Sequence, residues 1–125
     1  MSRHNQKISL KRTPLEITRL GLGTAPLGGM FTSVAEQDSD DLIATAFELG
    51  INYFDTAPLY GYGRSEVRLG RALRAAKQNF VLSTKVGRVL NPTANPDREF
   101  FKDADPTKES VYDWSADGVK RSINE

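Results

Sequence analysis

The sequence contains no cysteine, which excludes a disulfide framework and any thiolate metal site. It has no excess of charge of one sign: Lys and Arg number 17 against 16 Asp and Glu, a net charge of +1. That balance gives no reason to expect a nucleic acid or an acidic membrane surface as partner. No apolar run approaches the roughly 18 residues of a membrane span, and the N-terminus has no signal-peptide apolar stretch. A cytoplasmic protein without a membrane partner is therefore expected. No internal repeat or low-complexity tract stands out. The only local bias is Arg3, Lys7, Lys11 and Arg12, which face no acid within Met1 to Arg12. They read as a solvated segment, with Met1 to Gln6 expected to be flexible. A length of 125 residues suits one domain, here 1–125, with a modest core.

What is present is an ordered series of short elements. Lys7 to Thr13 and Leu15 to Arg19 read as strands of a hairpin broken at Pro14. Leu20 to Gly23 is a further short strand running into a Gly/Pro-rich loop, Thr24 to Gly29. Asp38 or Ser39 can cap a helix through Leu49, with Asp40 and Asp41 in the first turn, where the helix dipole favours acids. Leu42, Ile43, Ala46, Phe47 and Leu49 make its apolar face, and Gly50 is a natural residue just past its end. Ile51 to Phe54 is a strand with Asp55 at its end. A second helix is expected from Ser65, as its cap, to Lys77, with Val67, Leu69, Gly70, Leu73 and Ala76 inward. Phe80 to Thr84 is a strand, followed directly by Lys85. Residues 86–107 read as a long loop, with Asn91-Pro92, Asn95-Pro96 and Asp105-Pro106 as turn signals. Ser110 to Trp114 suggests a short strand, and Ser115 caps a final helix.

Alternation of strand and helix argues for parallel strands with helices packed outside them. An open doubly wound sheet and a closed β/α barrel compete, and the glycines decide. A dinucleotide fingerprint needs a third glycine so that the helix can approach the strand. Gly21 and Gly23 are followed by Pro26 at that place, and no helix begins there. The P-loop pattern fails as well, because Gly28 is followed by Gly29 rather than lysine.

In a β/α barrel the chemistry gathers at the C-terminal ends of the strands. Asp55 ends one strand, Tyr60 lies in the loop after it, and Lys85 ends the next. With parallel strands about 4.8 Å apart, Asp55 and Lys85 can form an ion pair at the mouth, and Tyr60 can fold back over it. An ammonium beside a phenol favours the phenolate, and a carboxylate behind it keeps the lysine charged and aimed. Such a tyrosine could exchange a proton near neutral pH, as general acid–base work requires. On spacing alone, an Asp–Lys pair with a nearby tyrosine is more often structural.

The residues also carry a family resemblance. Gly21-Leu22-Gly23-Thr24 resembles the first barrel strand of aldo-keto reductases, and Gly50 to Gly61, with Asp55 and Tyr60 inside it, resembles their most diagnostic segment. Ser65-Glu66 with Leu69-Gly70-Arg71-Ala72-Leu73 is similar to the helix that follows, and Ser83 to Gly87 to the third strand. The segments Thr24 to Gly28 and Thr56 to Gly63 are most similar to the bacterial threo-aldose (fucose-type) and pyridoxal dehydrogenase branch. The resemblance implies an α/β fold, the N-terminal portion of a (β/α)8 TIM barrel with an N-terminal β-hairpin and about three barrel strands. It implies an NAD(P)-dependent oxidoreductase passing hydride between nicotinamide and an aldose, lactol or small aldehyde, with NADP or NAD as cofactor and no metal. Asp55, Tyr60 and Lys85 would be catalytic, with Tyr60 the general acid or base. Gly23, Thr24, Asp55 and Lys85 would border the cofactor. Trp114, Arg88 and the 86–107 loop are candidates for substrate contact, although ordinary packing is the simpler account of Trp114, and Arg88 can equally be a solvated loop charge.

One departure stands against this. The family's fourth catalytic residue is a histidine at the end of the fourth barrel strand, whereas the only histidine here is His4, expected to be merely exposed. A full barrel takes roughly 250 residues, so the expectation is a chain truncated before that strand. Three barrel strands leave an exposed sheet edge, a template for pairing with another chain. The isolated chain is then expected to be inactive and marginally stable unless it self-associates. A half-barrel interaction module and an unrelated nucleotide-binding domain remain open beside the enzyme.

Overall fold

The computed structural model describes residues 3–98 and 100–125. Arg3–Asn5 form a 3-10 turn, followed by the antiparallel hairpin of β1 (Lys7–Ser9) and β2 (Glu16–Thr18), in which Ile8 faces Ile17. Within the segment Met1 to Gln6, residues 4 and 6 make hydrogen bonds to the chain beyond it. Arg19 N–H donates to Gln6 O at 2.9 Å, Leu20 N–H to His4 O at 3.2 Å, and His4 Nε2 lies 3.0 Å from Leu49 O. His4 is thus half-buried at a helix end, not exposed. Met1 and Ser2 lie outside the described residues.

Asn52 ties the hairpin to the main sheet. Its Oδ1 accepts Thr18 N–H at 2.8 Å, and its Nδ2 donates to Glu16 O at 2.9 Å. That sheet has three parallel strands in the order β3 (Leu22–Gly23), β4 (Tyr53–Asp55), β5 (Val81–Ser83). The register sets Gly23 beside Asp55, and Asp55 beside Ser83. Helices α1 (Glu36–Glu48) and α2 (Arg64–Ala76) make the two crossovers and pack on one face. Phe54, the central residue of β4, is 0% exposed and shares one buried cluster with Ile43, Ala46 and Phe47 of α1 and Leu69 and Leu73 of α2. Burying each large side chain in that cluster contributes about 1.5–3 kcal/mol before entropy is counted. Tyr53 and Asp55, alternating with Phe54, face the other side, which is the interior of a barrel.

The helix starts differ from the sequence expectation. The N-cap of α1 is Ala35, not Asp38 or Ser39, because Glu36 already sits in the first turn, where Arg68 and Arg71 bind its carboxylate. Ser39 is fully buried, and its hydroxyl has no partner among the described residues. In α2 the N-cap is Gly63 at φ 91°, and Ser65 is one turn-residue inside the helix, its hydroxyl turned to Thr24. The buried stripes are narrower than expected: Leu42, Leu49 and Val67 are largely exposed. Gly50 holds the expected left-handed conformation past α1 at φ 79°.

The segment 86–107 is not one loop. Arg88–Pro92 forms β6, paired antiparallel with β7 (Lys108–Tyr112), and Val89 faces Val111. Cross-strand pairing outweighs the turn signal of Asn91-Pro92, since a proline is tolerated at a strand end. α3 (Ala116–Asn124) starts at Ser115, whose hydroxyl accepts Gly118 N–H at 3.0 Å as expected, and packs on β6 through Ser122 and Arg121.

Candidate active site

The ends of β4 and β5 bring the expected trio together. Lys85 Nζ lies 2.7 Å from Asp55 Oδ2, donates to Thr56 O at 2.9 Å, and stands 5.1 Å from the centre of the Tyr60 ring. Strand β5 ends at Ser83, so the residue directly beside Asp55 is Ser83, whose hydroxyl donates to Oδ1 at 2.5 Å. Lys85 reaches Asp55 from two residues beyond the strand.

The electrostatics follow from these contacts. Burial by itself would raise the Asp55 pKa, but hydrogen bonds from Lys85 and Ser83 and the lysine's charge outweigh it, and the carboxyl is held below its usual range. Burial would lower Lys85, but its hydrogen bond to Asp55, the nearby Tyr60 hydroxyl and the carboxylate's charge outweigh that too, and its pKa is raised. Lys85 therefore remains an ammonium throughout the neutral range.

Close backbone packing sets Tyr60. Its loop lies against Gly28, where an added Cβ would stand 2.5 Å from Gly61 N and Tyr60 C, so no larger residue fits there. The Tyr60 ring rests against Phe101 with centres 6.2 Å apart. Below the site lies a buried hydroxyl chain. Thr56 Oγ1 and Ser65 Oγ are 3.0 Å apart, Ser65 Oγ donates to Thr24 O at 2.8 Å, and Thr24 Oγ1 donates to Asp55 O at 2.8 Å. It ties the end of β4 to the β3 loop and to the first turn of α2.

The residues expected to border the cofactor differ in exposure. An added Cβ on Gly23 would meet nothing within 4 Å, so the sheet face beside Asp55 is open at that point. Asp55 and Lys85 border that opening. Thr24 is 0% exposed, and its hydroxyl is committed to the Asp55 carbonyl, so it supports the strand end from below.

A pocket of about 260 Å³ opens at Tyr60 and Lys85, walled by Pro58, Val86, Arg88, Tyr112 and Trp114. Trp114 is 71% exposed, so packing in a core does not account for it. Its ring lies across Gly87, where an added Cβ would stand 2.1 Å from a ring carbon. Arg88 is not a free loop charge: it donates to the Tyr112 hydroxyl at 2.6 Å and sits 4.1 Å from the centre of that ring. Sequence reasoning missed Ser83, Ser65 and Thr56. Their signal was present in the alternation of β5 and in hydroxyls next to strand ends. Phe101 gave no local signal at all.

Residues 19–125 match the aldo/keto reductase family. The chain belongs to that family. It is 42% identical to a pyridoxal 4-dehydrogenase of Microbacterium luteolum, over 97% of this chain and 38% of that protein. It is 38% identical to a D-threo-aldose 1-dehydrogenase of a Pseudomonas species, over 89% of this chain and 36% of that one. Among solved structures, a glycerol dehydrogenase of Gluconobacter oxydans superposes with a TM-score of 0.72 at 25% identity, covering 96% of this chain and 34% of that one. This aldo/keto reductase chain thus spans under two fifths of the length of these curated relatives, and its hairpin and three parallel strands are the N-terminal portion of a (β/α)8 barrel. Among the described residues no group of three His, Asp or Glu is placed to hold a metal, and no helix is long and apolar enough to cross a membrane.

Proposed function

We propose that this chain carries the proton-transfer site of a cytoplasmic NAD(P)-dependent oxidoreductase acting on an aldose, lactol or small aldehyde. The nicotinamide, NAD or NADP, would supply or accept the hydride. Gly23, Asp55 and Lys85 would border its ring at the open sheet face. Tyr60 gives its proton to the carbonyl oxygen when the substrate is reduced, and takes the hydroxyl proton when it is oxidised. Lys85 stabilises the phenolate left behind, and Asp55 keeps Lys85 aimed. The observation that carries this reading is the Lys85 ammonium held between Asp55, at 2.7 Å, and the ring of Tyr60, at 5.1 Å, at the ends of parallel strands. The substrate class is taken from the dehydrogenases named above. A small molecule also fits the apolar, 260 Å³ pocket.

The test is a barrel completed with the remaining strands of the 42%-identical relative. There Tyr60→Phe is expected to lower kcat by about 10²–10⁴-fold with nucleotide affinity unchanged. Undiminished turnover in that variant would overturn the assignment. The 125-residue chain alone is expected to show at most a trace of nucleotide-dependent aldose oxidation. A second reading, a half-barrel that pairs with another chain, is favoured by the edge strand β5, where Leu82 is 46% exposed, and by Phe80 just before it, 40% exposed. A stable stoichiometric complex or self-association at micromolar concentration would support it.

A further inference from the structure

We propose that Tyr53 and Ser83 form a hydroxyl brace that aims Asp55 at Lys85, which makes both of them positioning residues of the proton-transfer site. The proposal rests on the oxidoreductase reading above and deepens it.

A carboxylate on a short side chain turns easily about its last torsion, which is broad and roughly two-fold. One bond to the end of a long lysine would leave that torsion loose, since both groups can move together. Here the two oxygens of Asp55 are assigned separately: Oδ2 to Lys85 at 2.7 Å, Oδ1 to Ser83 at 2.5 Å. Ser83 can do this because the parallel register sets it directly beside Asp55 on the same face of the sheet. The Asp55 side chain is 36% exposed and that of Lys85 48%, so water competes for both oxygens, and the second anchor matters.

Proton counting then gives the brace a direction. An ionised carboxylate accepts only, so the single Ser83 hydroxyl proton is committed to Asp55. The contact between the Tyr53 and Ser83 hydroxyls, 3.1 Å, must run with Tyr53 as the donor. Tyr53 lies two residues before Asp55 on β4 and so shares its face. Its ring occupies the place where a Cβ on Gly21 would stand 2.6 Å from a ring carbon. The first glycine of the Gly-x-Gly pair is therefore room for Tyr53, and a line of contacts runs from Gly21, just before β3, across β4 and β5: Gly21, Tyr53, Ser83, Asp55, Lys85. Lys85 is the charged group the carboxylate meets, and Tyr53 and Tyr60 are the neighbouring phenols.

The test reads Asp55 itself, by carboxyl-carbon NMR titration of the full chain. Ser83→Ala is expected to move the Asp55 midpoint upward, Tyr53→Phe to move it upward by less, and Ser83→Thr to leave it in place. Asp103, remote from the brace, is the control in the same spectra. An Asp55 midpoint unmoved by Ser83→Ala would overturn the proposal. So would Asp55 and Asp103 shifting together, because the hydroxyl would then act only through general packing. In the completed barrel, Ser83→Ala is expected to lower kcat about 10–100-fold with KM and nucleotide affinity unchanged, in line with the cost of a small misplacement. An unchanged kcat there also counts against it. Failure of the oxidoreductase reading looks different: the completed wild-type barrel would not turn over, yet the Asp55 shift would persist.

Discussion

Arg68 and Lys85 each meet carboxylates at hydrogen-bond distance, yet the Arg68 side chain is 6% exposed and that of Lys85 48%. Arg68 donates to Glu36 Oε1 at 2.8 Å, Leu27 O at 2.6 Å, Asp103 Oδ2 at 2.9 Å and Val34 O at 2.8 Å. Its planar fork is matched on every side, and what it joins is architecture: the loop before α1, the first turn of α1 and the loop that carries Phe101. Lys85 has Asp55 and Thr56 O on one side and the open pocket with the Tyr60 ring on the other. A cation with all donors committed can only hold a shape. One with an open side can also respond to a proton leaving the neighbouring phenol, so the exposed cluster suits chemistry and the buried one suits support.

The largest expected effect breaks the buried member of this comparison. Arg68→Ala leaves Asp103, only 14% exposed, without its cation and strips two backbone carbonyls of a donor. Removing one partner of a buried pair costs about 3–5 kcal/mol. In a chain with this small a core, urea denaturation is expected to show loss of a cooperative transition. Arg68→Lys is expected to recover little, since a point charge cannot serve four acceptors in a plane.

A smaller effect is expected at the pocket wall beside Lys85. Gly87 sits at φ 98°, and the Trp114 ring lies across it. Gly87→Ala adds backbone strain of about 1–3 kcal/mol and pushes the indole off the wall beside Lys85. Trp114 is the single tryptophan, so its fluorescence reports this directly, and an unchanged emission maximum would show that the ring is not held as described.

The contrast also explains what could be read from the sequence. That Asp55, Tyr60 and Lys85 come together was legible because Asp55 ends β4 and the other two follow strand ends within a few residues. Gly50 and Ser115 were legible for the same reason, as local signals with local partners. Arg68 was not, because its carboxylates lie 32 and 35 residues away and nothing periodic links them. Ser39 and Ser65 invited assignment as caps, since a serine before an apolar run scores well locally. Both are buried by tertiary packing instead, and Ser65 serves Thr24 across 41 residues. The β6–β7 hairpin was hidden by its own turn chemistry, Asn91-Pro92 and Asn95-Pro96, whereas the pairing that overrides it becomes visible only in register.

The smallest expected effect on stability is the one that separates the two clusters most sharply. Lys85→Met removes an ion pair whose partners are 48% and 36% exposed, and such pairs are worth about 0–1 kcal/mol. The acid limb tests the same point. Asp55 and Asp103 are both held below the ordinary carboxyl value. The stability each confers is therefore complete above the unfolded-state pKa of about 4 and is lost as pH falls through the lower folded value. Asp103 is the less exposed, so Asp103→Asn is expected to flatten the loss of stability below pH ~4 markedly, and Lys85→Met to leave that slope nearly as it was. Lys85 is shifted the other way, so its own contribution is present below an unfolded pKa of about 10.4 and lost as pH rises through the higher folded value. Urea midpoints at pH ~3 and ~7 would measure the two carboxylates, and a further midpoint above pH ~11 the lysine. A loss above about 2 kcal/mol for Lys85→Met at pH 7 would exceed what an exposed pair supplies. The mouth of the barrel would then be a structural ion pair after all, and the division between the two clusters would fall.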